Sequence, residues 1–267
     1  IAKRRPSDVR RVAAKKSVPN QLAATTPALP EPPLIVAVGA SAGGLEAFTE
    51  LLTAMPRDLP APGLALVCLQ HLQPGHPSLL AQLLQRATAM VVEEAADGVR
   101  PLAHHVYVLP PGMRMRLQGG RLRLRPTAEA EDQQAIDEFM GSLAGERRHA
   151  AIGVVLSGTA NDGTQGLQAI KAAGGVSFAQ SEGSAEFPGM VQSAIASGAV
   201  DYVLTPGEIG RELARMARHP DLPTAATPEA AAPSLTPGHG RAYAAILSLV
   251  QRDTGMDFSE YRSSTLR

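Results

Sequence analysis

The stretch LIVAVGASAGG, residues 34–44, decides the fold of this chain. Its apolar first part, Leu34–Val38, predicts a buried strand, and its small residues predict a tight turn into a helix over Gly43–Met55. Two further apolar runs, Leu64–Leu69 and Ala151–Leu156, also end just before polar residues. Buried strands that alternate with helices are typical of a parallel sheet covered on both faces.

Strand-like and helix-like segments alternate from residue 34 to about residue 218. Further helices are predicted near Pro77–Ala87 and over Ile136–Leu143, Gly163–Ala173 and Gly207–Arg218, and further strands over Val106–Leu109, Val176–Ala179 and Val200–Leu204. Met113–Leu117 and Arg121–Arg125 alternate with period two around Gln118-Gly119-Gly120, which predicts a β-hairpin. We therefore predict an α/β fold with a doubly wound, mostly parallel sheet, helices on both faces and a β-hairpin.

The composition is that of an ordinary globular protein, with 44% hydrophobic and 19% charged residues among 267. The formal net charge is zero, so the overall charge favours neither nucleic acid nor a membrane surface as a partner. No apolar run approaches the roughly 18 residues of a transmembrane helix, and we expect no membrane insertion. Cys68 is the only cysteine, which excludes an intramolecular disulfide and fits a cytoplasmic location.

The segments outside residues 34–218 differ in composition from the rest. Residues 1–33 form a basic arm that we expect to be disordered, with seven Lys and Arg residues in its first 20 positions. Residues 219–237 contain five prolines among Ala and Thr, which predicts a linker. Residues 238–267 begin a helix but are too few to bury a core. Since the chain also starts at Ile1, we expect it to be a piece of a longer protein.

Three polar residues follow three of the predicted strands. Ser41 lies in the Gly-x-Ser-x-Gly pattern of residues 39–43, His71 follows Leu64–Leu69, and Asp162 lies in the loop after Ala151–Leu156. In an open parallel sheet, ligands bind beyond the carboxyl ends of the strands, so these side chains are expected to converge. Ser, His and Asp together supply a nucleophile, a base and a group that orients the base.

The residues by themselves leave alternatives open at each of these positions. The turn at Ser41 is also compatible with a phosphate-binding loop or a purely structural turn, although a dinucleotide fingerprint would need Gly there. His76 competes with His71 as the base, and Asp162 is also suited to capping the helix that follows it. The pair His104-His105 lacks partners at metal-ligand spacing, so a structural role is predicted for it.

Five ordered motifs resemble the catalytic domain of chemoreceptor protein-glutamate methylesterases, the CheB family. The resemblance runs from about Leu34 to Arg218. The motifs are VGASAGG at 38–44, LQHL at 69–72, HVYVLPPG at 105–112, LSGTANDG at 156–163 and FPGM at 187–190.

This resemblance implies a serine esterase that hydrolyses glutamate γ-methyl esters on chemoreceptors to glutamate and methanol, and some members also deamidate glutamine. It implies the triad Ser41, His71 and Asp162, with an oxyanion hole made by the backbone N–H groups of Ala42 and Thr159. It implies no metal or cofactor in this domain. The expected partners are cytoplasmic helices of methylated chemoreceptors or a related methylated signalling protein, and not nucleic acid. The alternative is a non-catalytic regulatory or scaffold module with a vestigial triad.

The chain departs from the family pattern at several positions. Thr159 stands where members commonly carry Met, a change that a backbone donor tolerates, and Val191 stands where the family has Pro. Residues 131–135 read EDQQA, where members often carry a basic His-Arg-Pro segment. Acidic residues near the cleft would repel an acidic receptor helix, so the choice of substrate is open.

The tail carries a second, shorter resemblance. Residues 246–262, ILSLVQRDTGMDFSEYR, are similar to the opening helix of receptor methyltransferases, the CheR family. This implies the front part of a methylesterase–methyltransferase fusion, whose S-adenosylmethionine site would lie beyond Arg267. No receiver domain precedes Leu34 in this sequence, so the usual control by phosphorylation is expected to be absent.

Overall fold

The computed structural model describes residues 32–59, 63–70, 78–128 and 134–218. The predicted arm up to residue 31, the linker, the methyltransferase-like tail, His71 and His76 all lie outside these ranges. The strands are β1 (Leu34–Ala40), β2 (Leu64–Gln70), β3 (Val91–Glu94), β4 (His105–Val108), β5 (Met113–Gln118), β6 (Arg121–Pro126), β7 (Ala151–Val155), β8 (Val176–Gln180) and β9 (Tyr202–Leu204). The helices are α1 (Gly44–Thr53), α2 (Leu80–Gln85), α3 (Ala135–Arg147), α4 (Thr164–Ala172), α5 (Gly189–Ala196) and α6 (Pro206–Arg218).

Seven strands form one sheet in the order β3-β4-β2-β1-β7-β8-β9, and every neighbouring pair is parallel. This confirms the predicted doubly wound α/β fold. From β1 the chain passes to β2 on one side, whereas from β7 it passes to β8 on the other. The crevice beyond the carboxyl ends of β1 and β7 is therefore the topological switch point, where open α/β sheets bind their ligands.

The two faces of the sheet are covered by different sets of helices. Val36 and Val38 of β1 point into a core formed with α1, α2 and α6. Ile35 and Ala37 point to the opposite core, which α3, α4, α5 and the β5–β6 hairpin complete. Because both faces of β1 are buried, its sequence reads as a continuous apolar run without alternation.

The predicted hairpin is present as the antiparallel pair β5 and β6. Its two-residue turn is Gly119-Gly120, and both residues have positive φ, 59° and 68°. A type I′ turn requires such angles at both central positions, and its twist matches that of the flanking strands. Glycine adopts these angles without steric cost, so it suits both positions.

Several details differ from the sequence-based expectations. The edge strand β3 and the helix α5 were not predicted, and the helix expected near Pro77–Ala87 extends only over Leu80–Gln85 among the described residues. The last strand begins at Tyr202 and not at Val200. Within the described ranges, no helix is long and apolar enough to cross a membrane.

We expect Gly210→Ala to destabilise the protein by about 1–3 kcal/mol, the range typical of overpacking. A Cβ at Gly210 in α6 would lie 2.3 Å from the carbonyl oxygen of Leu51, and this backbone atom of α1 cannot rotate away. The matched control is Gly141→Ala in α3, where nothing lies within 4 Å and where alanine should stabilise the helix by up to about 1 kcal/mol. Urea unfolding of both variants measures the difference, and equal midpoints would contradict the close approach of α1 and α6.

Candidate active site

Ser41 lies at the turn between β1 and α1, half-buried at the carboxyl end of the sheet. Gly43 has φ of 69°, a left-handed conformation that β-carbon-bearing residues rarely adopt. A Cβ on Gly44 would lie only 2.8 Å from that of Ala40. The small residues around Ser41 therefore let the strand pass directly into the helix and leave the serine at the N-terminal end of α1.

The loop after β7 packs directly against this turn. The N–H of Ser41 donates to the carbonyl oxygen of Ser157 at 3.0 Å. A Cβ built on Gly158 would lie 3.0 Å from the Cβ of Ser41, so only glycine fits there without displacement. Since Gly39 pairs with Val155 in the sheet, the strand register itself brings the two loops together at the switch point.

The buried side chain of Ser157 connects its own loop to the Ser41 turn and to the loop that contains Phe187. Its Oγ donates to the carbonyl oxygen of Ala42 at 2.9 Å and accepts the N–H of Phe187 at 3.0 Å. Its own N–H donates to Oε1 of Gln180 at 2.8 Å. Sequence reasoning assigned no role to this side chain, because a serine in a Ser-Gly pair after a strand gives no local sign of such distant partners.

Asp162 is buried, and its carboxylate accepts three backbone N–H groups. Oδ2 accepts the N–H of Ile136 at 3.0 Å, and Oδ1 accepts those of Asp137 and Gly163, each at 2.9 Å. The first two belong to the first turn of α3, so Asp162 caps that helix. The helix that follows it in sequence, α4, has Gly163 as its N-cap and no side-chain cap, so the expected capping of α4 by Asp162 is wrong.

Asp137 is a second carboxylate beside Asp162 that the sequence analysis did not select. It lies in the first turn of α3, and its Oδ1 accepts the N–H of Gly166, in the first turn of α4, at 2.6 Å. Burial, together with the charge of Asp162, raises the pKa of Asp137 to about 6 from its usual 3.8. The two aspartates thus link the N-terminal ends of α3 and α4.

The end of β2 reaches the same place. Gln70, its last residue, donates from Nε2 to the carbonyl oxygen of Ser41 at 3.3 Å. His71 is the next residue in the chain and lies outside the described residues, as does its competitor His76. The structure therefore brings the Ser41 turn and the Asp162 loop to one crevice, and His71 remains a prediction.

The predicted oxyanion donors lie in the two loops that flank the crevice. Among the described residues, the N–H groups of Ala42 and Thr159 have no hydrogen-bond acceptor. Ala160, next to Thr159, has φ of 65°, an unusual backbone angle for a residue with a β-carbon. Backbone strain of this kind is frequent where a loop presents its N–H groups to a ligand.

His105 and Cys68, which the sequence analysis also considered, lie in surroundings that suit structural roles. His105 Nδ1 lies 2.9 Å from Oε1 of Glu93, and its ring stacks on Tyr107. Cys68 is buried in β2, and burial raises the pKa of its thiol, which favours the neutral form. In the part of the chain that the structure describes, no group of three or more His, Cys, Asp or Glu side chains is arranged to hold a metal ion.

Comparison with known proteins gives the family to which this chain belongs. The family model described as CheB methylesterase matches residues 36–213, and the chain belongs to this family. A protein-glutamate methylesterase/protein-glutamine glutaminase of Myxococcus xanthus is 40% identical over 193 residues, which are 70% of this chain and 55% of that protein. A relative of the same description from Bordetella parapertussis is 37% identical over 185 residues, 67% of this chain and 52% of the relative. The chain thus spans about half the length of these curated relatives.

A solved structure agrees with this assignment. The crystal structure of the Thermotoga maritima CheB methylesterase catalytic domain matches with a TM-score of 0.61 and 28% sequence identity. The match covers 69% of this chain and 98% of that domain. The fold described above is therefore that of a CheB catalytic domain over nearly its whole length.

We expect Asp137→Asn to gain stability relative to the wild type as the pH rises. A carboxyl whose folded-state pKa is raised favours folding below about pH 4 and loses that contribution as the pH rises through about 6. Asparagine keeps an oxygen acceptor for the Gly166 N–H but does not titrate. Urea unfolding of both proteins at pH 4, 5.5 and 7 gives the difference in unfolding free energy at each pH.

The control for simple loss of charge is Asp58→Asn, at an exposed position after α1. A difference between Asp137→Asn and wild type that stays constant from pH 4 to pH 7 would contradict the raised pKa of Asp137.

Proposed function

We propose that this protein is a serine esterase that hydrolyses glutamate γ-methyl esters on chemoreceptors to glutamate and methanol. The observation that carries the proposal is the contact between the Ser41 turn and the loop leading to Asp162 at the switch point of the sheet. Membership of the CheB family supports the same activity. The proposed chemistry takes place in the cytoplasm and needs no cofactor.

In the proposed mechanism, His71 accepts the Ser41 hydroxyl proton while the oxygen attacks the ester carbonyl carbon. The tetrahedral intermediate collapses, the C–O bond to the methoxy group breaks, and methanol leaves with the proton from His71. Water then attacks the acyl-enzyme by the same route, which releases glutamate and restores Ser41. If ammonia is the leaving group in place of methanol, the same steps deamidate glutamine.

Asp162 orients the base in this proposal. Three backbone N–H groups donate to the two oxygens of its carboxylate. The donors fix both oxygens, and a fixed carboxylate selects one tautomer of the base and stabilises the imidazolium. The hydrogen bond from Gln70 to the Ser41 turn supports the placement, because it holds the residue before His71 against the nucleophile.

The oxyanion is stabilised by the N–H groups of Ala42 and Thr159. Ser157 supports this role, since its hydroxyl holds the carbonyl of Ala42 and thereby the orientation of that peptide segment. The N-terminal end of α1 contributes a favourable dipole. The methylated substrate would be a cytoplasmic helix of a chemoreceptor or of a related signalling protein.

We expect Ser41→Ala and His71→Ala each to reduce ester hydrolysis to near background while both variants remain folded. The residues act as one unit, so the double variant should be little worse than either single variant. The assay is methanol release from a peptide that carries a glutamate γ-methyl ester, with circular dichroism as the folding control. Unchanged hydrolysis in Ser41→Ala would exclude Ser41 as the nucleophile, whereas hydrolysis no faster than background in the wild type would favour a non-catalytic module.

We expect Asp162→Asn to lower the turnover number by roughly 10²- to 10⁴-fold, as loss of the orienting carboxylate does in serine hydrolases. The amide nitrogen would also face the N–H groups at the start of α3, which should cost about 1–2 kcal/mol of stability. Turnover and urea unfolding are measured on the same preparation. A stability loss with unchanged turnover would leave Asp162 with a capping role alone.

A further inference from the structure

The β5–β6 hairpin carries five arginines on one face. Arg114 pairs with Arg125 in the antiparallel register, Arg116 pairs with Arg123, and Arg121 pairs with Gln118. Directly opposite residues share a face of the ribbon, so the five guanidinium groups lie on the same side. The opposite side, with Met115, Leu117 and Leu122, packs into the core.

This arrangement is unfavourable for the hairpin alone, because like charges directly opposite each other destabilise an antiparallel pair. Glu138 relieves part of the repulsion, with one oxygen 3.2 Å from Arg114 and from Arg125 and the other 3.8 Å from Arg116. Asp97 lies 3.5 Å from Arg123. Among the described residues, therefore, two carboxylates form ion pairs with four of the five arginines.

The fifth arginine and the turn have other contacts. Arg121 donates to the carbonyl oxygen of Gly98 at 2.8 Å, a neutral acceptor. The carboxylate of Glu146 is engaged by the N–H groups of Gly119 and Gly120 at the turn. The side chains of Arg116 and Arg123 are 61% and 48% exposed, so the face keeps accessible positive charge.

The position of this face connects it to the candidate active site. Arg114 donates a hydrogen bond to Glu138, which lies in the first turn of α3 directly after Asp137. Asp162 of the candidate site caps the start of the same turn. From Arg114 to Gln118 the ribbon extends over about 13 Å at 3.3 Å per residue. That length corresponds to roughly nine residues of an α-helix.

We propose that the arginine face, formed by Arg116, Arg121 and Arg123, binds a carboxylate-rich helical segment of the protein substrate and so presents its esterified glutamate to Ser41. This inference rests on the proposed function. A segment that is methylated and demethylated at glutamates is itself rich in carboxylates, and guanidinium groups bind carboxylates in a planar, two-point geometry. The hairpin has no aromatic residue for base stacking, which disfavours single-stranded nucleic acid as the partner.

The test uses the 267-residue chain with Arg116, Arg121 and Arg123 all changed to Gln. The matched control changes Arg57, Arg86 and Arg218 to Gln, which removes the same charge from exposed positions elsewhere on the fold. The substrates are a helical peptide with one glutamate methyl ester flanked by Glu, the same peptide flanked by Gln, and p-nitrophenyl acetate.

We expect the hairpin variant to lose about tenfold or more in kcat/KM on the Glu-flanked peptide, mainly through KM, with a weaker salt dependence. Its activity on the Gln-flanked peptide and on p-nitrophenyl acetate should match the wild type. An equal loss in the control triple, or an equal loss on both peptides, would overturn the proposal.

A binding measurement separates this proposal from the proposed catalytic function. Fluorescence anisotropy with the Glu-flanked peptide should show weaker binding to the hairpin variant even when Ser41→Ala is also present. If no ester is hydrolysed by any variant but this difference in binding persists, the catalytic proposal fails and the arginine face stands. Loss of binding only to phosphatidylserine vesicles or to an RNA oligonucleotide, with peptide binding unchanged, would overturn the peptide assignment.

Discussion

The carboxylate of Asp162 holds the first turn of α3, and the surroundings of the switch point depend on this contact. With the helix end fixed there, the side chain of Ile136 lies against the end of β1 and against the loop before α4. A Cβ would come within 2.4 Å of it at Gly39 and within 3.1 Å at Gly163. The next residues in the turn, Asp137 and Glu138, then reach α4 and the hairpin. One buried carboxylate thus helps to position α3, α4 and the hairpin.

Much of the architecture could be predicted, because buried parallel strands have a strong and local signature. The apolar runs of β1, β2 and β7 are bounded by Gly and polar residues, and they were located to within one or two residues. The edge strand β3, with the sequence Val-Val-Glu-Glu, has neither an apolar run nor an alternating pattern. Its conformation is supplied by pairing with β4, which no local pattern records.

The candidate site was predictable to the extent that its residues follow strand ends. Ser41 and Asp162 do so, and the structure brings their loops to the same crevice. Asp137 was missed because an acidic residue in the first turn of a helix is common for reasons of helix dipole alone. Ser157 was missed because its partners, Ala42 and Phe187, lie far away in sequence. Capping across the fold, from one loop to a distant helix, has no sequence signature.

The central position of β1 has a consequence for biosynthesis. One of its two neighbours in the sheet is β7, and Gly39 of β1 pairs there with Val155 of β7. These two residues are more than a hundred positions apart in the chain. At about 5–20 residues per second, a ribosome needs on the order of 5–20 s to add that length. During this interval one edge of an entirely apolar strand is unpaired, the condition in which nascent chains associate wrongly or recruit chaperones. The crevice at Ser41 therefore forms only after most of the domain has been synthesised.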